Sequence, residues 1–546
     1  MRAVILALSL SALACQGLTA HNVAPVHFDV GVVHRTVTTT SPEAQMWFDR
    51  GLGLTYGFNH EEAIRCFERA AEADPDCAMA YWGEAYAFGP NYNSPVMQED
   101  ASRAAWEALQ EAKLRTAGVT PVERALIDAL EARYAWPAPE DRAGLEFSYA
   151  KAMEGVRAAF PDDPDVAALT AEALMQLKPW KLWSPEGEAA PELAAVRGVL
   201  EPALERWPNH PALCHMYIHA MEAGPDVEKA VPMARALEDL TPGLGHLVHM
   251  PSHIYVWTGR YDDVVRVNLE AVDIDDAFVD YAGRENFYSA YRIHNYHFVA
   301  YGGMWEGRKE LALEYSRRLV DEIPAGLLAA VPDLFEVFTA TPYHVMVRFG
   351  MWDELLEEPE PVGELHAARA VWRYSRAVAL ASLGRVEEAL EEQRAFRAAT
   401  AAVPETRLLF NNPVALILGV ADKVVDGEIE YRRGNHDRAF ELLREAVRLD
   451  ELMNYDEPWG WMEPARHALG ALLTEQGRYE EAVAVYQANL ARYPENGWAL
   501  HGLAECLRNL GRDAEAAGVQ ARFTKAWARA DVEIPGSCYC KTAVEG

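Results

Sequence analysis

Residues 215–253 read HMYIHAMEAGPDVEKAVPMARALEDLTPGLGHLVHMPSH, and the spacing within this stretch indicates the fold. It contains His-x-x-x-His twice, as His215/His219 and His249/His253, and the second copy lies 34 residues after the first. Residues four apart lie on one face of an α-helix, so each pair points in one direction. A step of this length is typical of a repeated unit of two helices joined by a turn. The stretch therefore predicts two histidine pairs on corresponding helices of neighbouring repeats.

The clearest repeat begins at Ala44 and matches the tetratricopeptide-repeat pattern in register. The matching residues are Trp47, Gly51, Ala63, Phe67, Ala70 and Pro75. Further units begin near Ala78, Ala167, Pro211, Gly245, Ile293, Glu336, Ala370, Val420, Glu463 and Gly497. Strand signals are nearly absent. We therefore predict an all-α fold, a tetratricopeptide-repeat α-solenoid of about eleven helix-turn-helix repeats with a concave groove, over residues 44–535.

Several longer motifs resemble a widespread group of bacterial exported tetratricopeptide-repeat proteins. The motifs are Tyr56-Gly57-Phe58-Asn59-His60-Glu61-Glu62-Ala63, His249-Met250-Pro251-Ser252-His253-Ile254-Tyr255, His294-Asn295-Tyr296-His297-Phe298 and Tyr455-Asp456-Glu457-Pro458. The resemblance covers nearly the whole chain after residue 20. It implies the repeat fold and no particular activity.

The composition is strongly acidic. Among 546 residues, 83 Asp and Glu oppose 50 Lys and Arg, which gives a formal net charge of −33. This balance repels nucleic acid and anionic membrane surfaces, so we expect no nucleic-acid partner. It favours solubility, cations or basic partners.

The first 20 residues have the pattern of an export signal. Arg2 precedes a short apolar run, and that run is too short to span a bilayer. Ala12-Leu13-Ala14 before Cys15 resembles a lipoprotein signal with a lipid anchor at Cys15, and plain cleavage after Ala20 is the alternative. We therefore expect an exported protein, either periplasmic or an outer-surface lipoprotein, with an N-terminal extended segment at residues 21–43.

The seven cysteines follow no disulfide framework. Cys538 and Cys540 form Cys-x-Cys in the C-terminal tail, residues 536–546. Such a tail is a soft-metal ligand, a redox pair or an inert end, and its spacing does not decide between these alternatives.

Most histidines in the middle of the chain fall at repeat positions 2, 5 and 9. These positions form one stripe of the first helix in each repeat, and that stripe lines the concave face. The histidines on the stripe are His215, His219, His246, His249, His253, His294, His297 and His344. Ordinary packing or surface interpretations apply to His27, His34, His60, His210, His366 and His436. His467 and His501 also fall at position 5 of their repeats, but singly, and are interpreted as ordinary groove residues.

Metal binding explains this arrangement better than a groove that binds an acidic peptide or holds only water. Histidines four or three apart on a helix chelate one ion through two imidazoles, and pairs on adjacent helices converge between them. All-imidazole sites suit transition metals, so we expect copper first, with zinc, iron or nickel as alternatives. Eight histidines are enough for two ions. Pro251 and Pro342 lie two residues before His253 and His344, and we expect each to bend its helix.

Two insertions interrupt the repeat spacing, Lys178 to Pro191 and Asp275 to Tyr291, and both are rich in aromatic residues. Insertions of this kind commonly form loops on the binding face, so their aromatic side chains are expected to cover the groove or to pack on it. Glu222 and Glu505 are expected to face inward as well. Asn295 and Tyr301 are candidates for metal-supporting or acid–base groups.

These observations predict an exported solenoid that binds one or two transition-metal ions on its concave face. A copper-type oxidoreductase with Tyr301 as a proton donor is the more specific hypothesis. The groove would then also accept a small-molecule or peptide ligand. The alternative is a protein–protein interaction scaffold without catalysis. Motifs for nucleotide, phosphate, haem and serine-nucleophile sites are absent from the sequence.

Overall fold

The computed structural model describes residues 26–540. The predicted signal segment with Cys15 therefore lies outside the described residues, as does the end of the tail from residue 541. Within the described range the chain is almost wholly helical, and the strands β1 (Leu408–Leu409) and β2 (Asn412–Pro413) form one short antiparallel hairpin. The predicted all-α class is confirmed.

The helices follow one another in pairs along the chain. The first eleven are α1 (Pro42–Tyr56), α2 (His60–Ala73), α3 (Ala78–Ala87), α4 (Glu99–Leu114), α5 (Pro121–Leu130), α6 (Ala143–Ala159), α7 (Pro164–Met175), α8 (Pro191–Arg206), α9 (Pro211–Met221), α10 (Val231–Leu237) and α11 (Gly245–His249). The next eight are α12 (Pro251–Trp257), α13 (Tyr261–Ala282), α14 (Ser289–Glu306), α15 (Lys309–Glu322), α16 (Ala325–Ala330), α17 (Pro332–Phe335), α18 (Thr341–Arg348) and α19 (Trp352–Glu357). The last eight are α20 (His366–Ser382), α21 (Val386–Ala401), α22 (Val414–Arg432), α23 (His436–Glu451), α24 (Ala465–Glu475), α25 (Tyr479–Arg492), α26 (Gly497–Asn509) and α27 (Asp513–Ala526). Short 3-10 helices occupy Val26–Phe28, Glu131–Arg133, Val227–Ala230 and Glu336–Ala340.

The first repeat illustrates why these residues form paired helices. The Ser41 side chain accepts a hydrogen bond from the Ala44 N–H at the start of α1, and Pro42 occupies the first turn, where its missing N–H costs nothing. The Phe67 ring of α2 lies against Gly83 of α3, and a Cβ added to Gly83 would lie 2.4 Å from the ring. Close packing of helices therefore depends on a large residue facing a position without a side chain.

The turns between paired helices depend on glycine in the left-handed region. Gly477 separates α24 from α25 with a φ of +70°, and Gly511 separates α26 from α27 with a φ of +71°. A residue with a Cβ adopts this backbone conformation only at a cost, so glycine ends one helix and starts its partner. The two positions are one repeat apart.

The chain divides into two compact units. Unit 1 comprises Met1–Ile254 and Glu270–Arg292, and unit 2 comprises Tyr255–Leu269 and Ile293–Gly546. Both lie within or overlap the predicted solenoid of residues 44–535. Five of the predicted metal-binding histidines belong to unit 1, namely His215, His219, His246, His249 and His253. Three belong to unit 2, namely His294, His297 and His344.

The extended segment before α1 is held to unit 1 by charged and polar groups. The Arg35 guanidinium donates to Asp163 at 2.9 Å and to Asp165 at 2.7 Å. Thr38 donates both its N–H and its hydroxyl to Glu123, each at 2.6 Å. These bonds join residues 29–41 to helices that lie more than eighty residues later in the chain.

The end of the described chain is packed in unit 2. The buried Arg348 guanidinium donates to the Ser537 carbonyl at 2.9 Å and lies 3.8 Å from the Trp498 ring centre. The Ser537 hydroxyl donates to the His467 carbonyl at 2.7 Å, and the Tyr539 ring lies against Gly350. The Cys-x-Cys stretch is therefore part of a folded surface up to residue 540.

Two of the expected helix features differ in the structure. Pro251 ends the predicted single helix, because α11 stops at His249 and α12 starts at the proline. Pro342 instead lies in the first turn of α18 and does not interrupt a helix, since a 3-10 helix precedes it. The insertion from Asp275 is helical as far as Ala282, as a continuation of α13. Among residues 26–540, none of the helices has both the length and the apolar character needed to cross a lipid bilayer.

Candidate metal centre

Five histidines of unit 1 come together in the interior. His215 and His219 lie on α9, His246 and His249 on α11, and His253 on α12. Each is at most 2% exposed. The prediction had these side chains lining an open groove, whereas the structure buries them completely. The repeat register nevertheless explains why the five histidines lie together, because positions 2, 5 and 9 of successive first helices lie side by side.

Three of these histidines present nitrogen atoms to one point. Ligand atoms of His215, His219 and His246 all lie within 4.8 Å of one another. Among the described residues, the Nε2 atoms of His215 and His219 have no hydrogen-bond partner, nor does either ring nitrogen of His246. Buried polar atoms are normally paired, so an unpaired set that converges is unusual. We name His215, His219 and His246 the histidine triad.

Hydrogen bonds on the far side of two rings orient them. The Nδ1–H of His215 donates to the Tyr56 carbonyl at 2.8 Å. The Nδ1 of His219 lies 2.9 Å from the Glu222 carboxylate and donates to it. Each bond places the ring proton on Nδ1 and leaves the lone pair of Nε2 directed at the centre of the triad. This is the arrangement by which proteins fix the tautomer of a metal-binding imidazole.

Glu222 links the triad to the second histidine pair. Its other oxygen accepts from Nδ1 of His253 at 2.8 Å, so one carboxylate serves two imidazoles. The Nε2 of His253 then lies 2.7 Å from the Nε2 of His249. At that separation, either one nitrogen donates its proton to the other or the pair holds a cation. Ligand atoms of His219, Glu222 and His253 also converge, but they are already joined by hydrogen bonds.

Burial keeps these imidazoles neutral. It lowers the pKa of His219 to about 3 and that of His253 to about 3, and it lowers the pKa values of His215 and His246 well below their usual range. Burial also raises the pKa of Glu222, and the hydrogen bond from His253 opposes that rise. Neutral imidazole is the form that binds a metal ion.

Aromatic rings enclose the triad. The Phe58 ring centre lies 4.6 Å from that of His215 and 5.4 Å from that of His246. Phe58 has a φ of +56°, an uncommon conformation for a bulky residue, and it follows the end of α1. Tyr92 lies 5.1 Å from His219, between ring centres. The strained turn at Phe58 therefore directs a large apolar ring onto the histidines.

The two insertions supply further rings to the same wall. Trp180 lies 5.7 Å from the His219 ring, and Tyr291 lies 4.6 Å from the His246 ring. Both distances join ring centres. Tyr288 accepts a hydrogen bond from the His246 N–H at 3.1 Å and donates to Asp275 at 3.1 Å. In unit 1, aromatic side chains from both insertions therefore pack against histidines of the triad.

The predicted metal ligands of unit 2 have the following neighbours within their own unit. His344 Nδ1 lies 3.2 Å from the Glu463 carboxylate, and the His297 ring packs edge-on against Phe338. His294 is half-buried beside Phe410. Tyr301 is 1% exposed, packs against Trp305, and has its pKa raised well above the usual range by burial. The metal-binding role of these histidines and the proton-donor role of Tyr301 stay predictions.

Sequence reasoning missed part of the site. Glu222 was expected to face inward, but its position between two imidazoles was not foreseen. Tyr56 and Phe58 belong to one of the family-like motifs, but the sequence did not predict that they contact histidines. The break in repeat spacing after Gly89 was the available signal for Tyr92, since such breaks commonly form loops over a binding face.

Comparisons with known proteins support the repeats. Residues 45–88 and 473–521 each match a family model described as tetratricopeptide repeat. The predicted tetratricopeptide-repeat solenoid is therefore confirmed as the fold class. No curated protein matches the chain.

Solved structures with similarity to the chain include human IFIT1. An IFIT1 dimer with m7Gppp-AAAA is 13% identical with a TM-score of 0.32, and the match covers 90% of this chain and 92% of that one. An IFIT1 dimer with PPP-AAAA is 12% identical with a TM-score of 0.32, and the match covers 86% and 94%. Similarity at this level carries no argument about ligands.

Proposed function

We propose that this chain, which carries tetratricopeptide repeats, binds a transition-metal ion through the histidine triad. The observation that carries the proposal is the convergence of buried imidazole nitrogens that have no hydrogen-bond partner among the described residues. The Nδ1 bonds of His215 and His219 support it, because they orient both Nε2 atoms before any ion arrives. Copper, zinc, nickel and iron are the ions that all-imidazole ligands suit, and copper forms the strongest complexes of these divalent ions.

The site also offers a second binding position. His249 and His253 face each other through Nε2, and Glu222 holds the other side of His253. A carboxylate that accepts from two imidazoles couples the triad to this pair. The five histidines of unit 1 therefore offer enough nitrogen ligands for one or two ions.

The test is metal analysis of protein purified without a histidine tag, before and after loading with copper, zinc, nickel or iron. We expect at least one equivalent in the wild type and its loss in the double variant His215→Ala/His246→Ala. His501→Ala is the control, since it removes a half-buried histidine of α26 that lies outside the triad. Circular dichroism verifies that the helices persist in each variant. An equal metal content in the wild type and the double variant would refute the site.

A copper-dependent oxidoreductase is the more specific form of the proposal. Bound copper would supply one-electron chemistry, and three imidazoles leave a coordination position for a substrate or oxygen. The chain's own residues would do two things. Phe58, Tyr92 and Trp180 would exclude water, and Glu222 would keep the Nδ1 protons on His219 and His253. Oxygen uptake by the copper-loaded wild type with phenols, amines and peptides tests this form. No turnover with any of them would leave a binding protein without catalysis.

An interaction scaffold is the second candidate, and the repeats at residues 45–88 and 473–521 favour it. Tetratricopeptide solenoids commonly bind peptides or proteins along their repeats. If the metal analysis gives no stoichiometric ion, this function remains and a peptide or small molecule becomes the expected ligand.

We also propose export, with a lipid anchor at Cys15 or cleavage after Ala20. The pattern of the first residues supports this location, since Arg2 precedes a short apolar run and Ala12-Leu13-Ala14 precedes Cys15. Fractionation of cells that express the full chain, with mass determination of the mature N-terminus, distinguishes an acylated Cys15 from a free His21. Recovery of the uncleaved chain from the cytosol would refute the proposal.

A further inference from the structure

The C-terminal stretch of unit 2 places a cysteine pair against a buried acid. Cys538 and Cys540 form a disulfide; Cys538 is half-buried and Cys540 is fully buried. Ser537 on one side is bonded to the His467 carbonyl and to Arg348, and Tyr539 donates its hydroxyl proton to the Glu533 carbonyl at 2.9 Å. The hydrogen bonds of Ser537, before the pair, and of Tyr539, between the two cysteines, therefore hold the sulfur atoms in place.

Glu428 of α22 is the acid that faces the two sulfurs. One of its oxygen atoms and the two Sγ atoms lie within 4.8 Å of one another. The side chain is 1% exposed, and within the described part of the chain its Oε2 atom has no hydrogen-bond partner. A buried carboxyl oxygen without a partner is costly in a purely structural role. Its position beside a disulfide indicates a chemical one.

We propose that Cys538 and Cys540 are a thiol–disulfide exchange site in which Glu428 supplies and takes back the proton. The partner is an external dithiol, either a small molecule or a protein. The inference is independent of metal binding by the histidine triad, since all of its residues lie in unit 2. The proposal assigns a redox role to the Cys-x-Cys motif, a role that the spacing of the cysteines alone could not decide.

The exchange is balanced in atoms and electrons. A thiolate of the external dithiol attacks Sγ of the more exposed Cys538, the S–S bond breaks, and Cys540 leaves as a thiolate. Glu428 protonates that thiolate. The second thiol of the reductant then attacks the reductant's own sulfur in the mixed disulfide and releases Cys538 as a thiolate, which takes up the proton that this second thiol loses. Two electrons thus pass to the protein, and the reductant becomes a disulfide. In the reverse direction Glu428 accepts the proton of Cys540.

The electrostatics of the site support this role. Burial raises the pKa of Glu428 to about 7, while nearby Arg432 lowers it and Glu475 raises it. The carboxyl is therefore protonated in a sizeable fraction of molecules near neutral pH, as a general acid requires. The Arg432 guanidinium donates to the Cys540 carbonyl and holds the buried cysteine beside the acid.

The first experiment measures the redox state of the folded full-length protein. The protein is equilibrated with mixtures of reduced and oxidised dithiothreitol, alkylated, and examined by mass spectrometry. We expect Cys538 and Cys540 to gain label together in a two-electron transition, while the buried Cys66, Cys77, Cys214 and Cys506 stay unlabelled. Reduction only after unfolding would overturn the proposal. So would isolation of the pair as two thiols that hold a stoichiometric zinc or copper ion, which would make it a metal site.

The second experiment isolates the acid. We expect Glu428→Gln to slow reduction by dithiothreitol at pH 7 by about 100-fold, which is the low end of the usual contribution of general acid catalysis. Glu430→Gln is the matched control, because its carboxylate lies on the same helix but accepts from Arg433 and Asn435. Rates of the wild type, normalised to reductant thiolate, should also fall as pH rises through about 7. A normal rate in Glu428→Gln, or a flat wild-type profile, would contradict the role of Glu428.

Discussion

At the scale of single residues, Glu222 organises the candidate metal centre. Its two oxygen atoms accept from different imidazoles, one that belongs to the triad and one that does not. Removal of a histidine deletes one nitrogen, whereas a change at Glu222 disturbs the orientation of two rings. A substitution at Glu222 therefore tests whether metal binding depends on imidazoles that are oriented before the ion arrives.

We expect Glu222→Gln to weaken metal binding by about 10–100-fold, the usual effect of losing a carboxylate that supports a metal-binding histidine. The amide retains one acceptor oxygen and presents an N–H₂ group to the other imidazole, which must then change its tautomer or turn. The measurement is competition for the ion with a chelator of known affinity. Glu228→Gln, an exposed neighbour in sequence, is the control. Unchanged affinity in Glu222→Gln would mean that the ion binds elsewhere.

The repeat register was sufficient to predict that His215, His219 and His246 occupy one region. Side-chain direction on a helix follows from position alone, so two helices in known register, α9 and α11, specify one surface. The same register could not predict Phe58 or Tyr92, because a turn and a loop, not a helix face, bring them to the histidines. Burial of the site depends on these segments, and for this reason an open groove was expected.

At the scale of helices, a glycine that faces an aromatic ring allows close approach, as Gly83 does against Phe67. We expect Gly83→Ala to lower the free energy of unfolding by about 1–3 kcal/mol, the usual cost of overpacking. Gly155→Ala is the matched helical control, since no heavy atom lies within 4 Å of the added Cβ. That change should raise the stability by about 0.5–1 kcal/mol.

Hydrogen exchange followed by mass spectrometry locates both effects. Protection should fall in α1 to α3 for the first variant and rise in α6 for the second. Equal effects of the two substitutions would mean that contact with Phe67 does not limit helix packing.

Helix boundaries show where sequence patterns reach their limit. The start of α1 and the turns at Gly477 and Gly511 follow from capping and glycine signals that act within a few residues. Pro251 and Pro342 are the same local signal for a helix boundary. Pro251 separates α11 from α12, whereas Pro342 lies in the first turn of α18. The difference depends on what precedes each proline, and a 3-10 helix before α18 has no clear periodic pattern.

At the scale of the whole molecule, buried histidines make stability depend on pH. Burial lowers the pKa of His60 from 6.5 to about 4, with Arg133 lowering it further. The unfolded chain therefore binds a proton between these values and the folded chain does not, so stability falls as pH decreases from about 6.5 to about 4. A shift of this size corresponds to at most about 3 kcal/mol.

We expect His60→Gln to reduce the loss of unfolding free energy between about pH 7.5 and about pH 4.5 relative to the wild type. Chemical denaturation followed by circular dichroism at each pH measures the difference. His436→Gln is the control, because His436 also begins the second helix of a repeat. The same reduction in both variants would attribute the effect to helix starts and not to burial.

The hydrogen bond between Arg348 and Ser537 affects how the chain folds during its synthesis. The two residues are 189 positions apart, and a ribosome that adds about 5–20 residues per second needs roughly 10 to 40 seconds to cover that distance. During this interval the guanidinium has been synthesised but its carbonyl acceptor has not. The nascent chain must keep Arg348 hydrated or shielded by a chaperone, and its final burial waits for the arrival of Ser537.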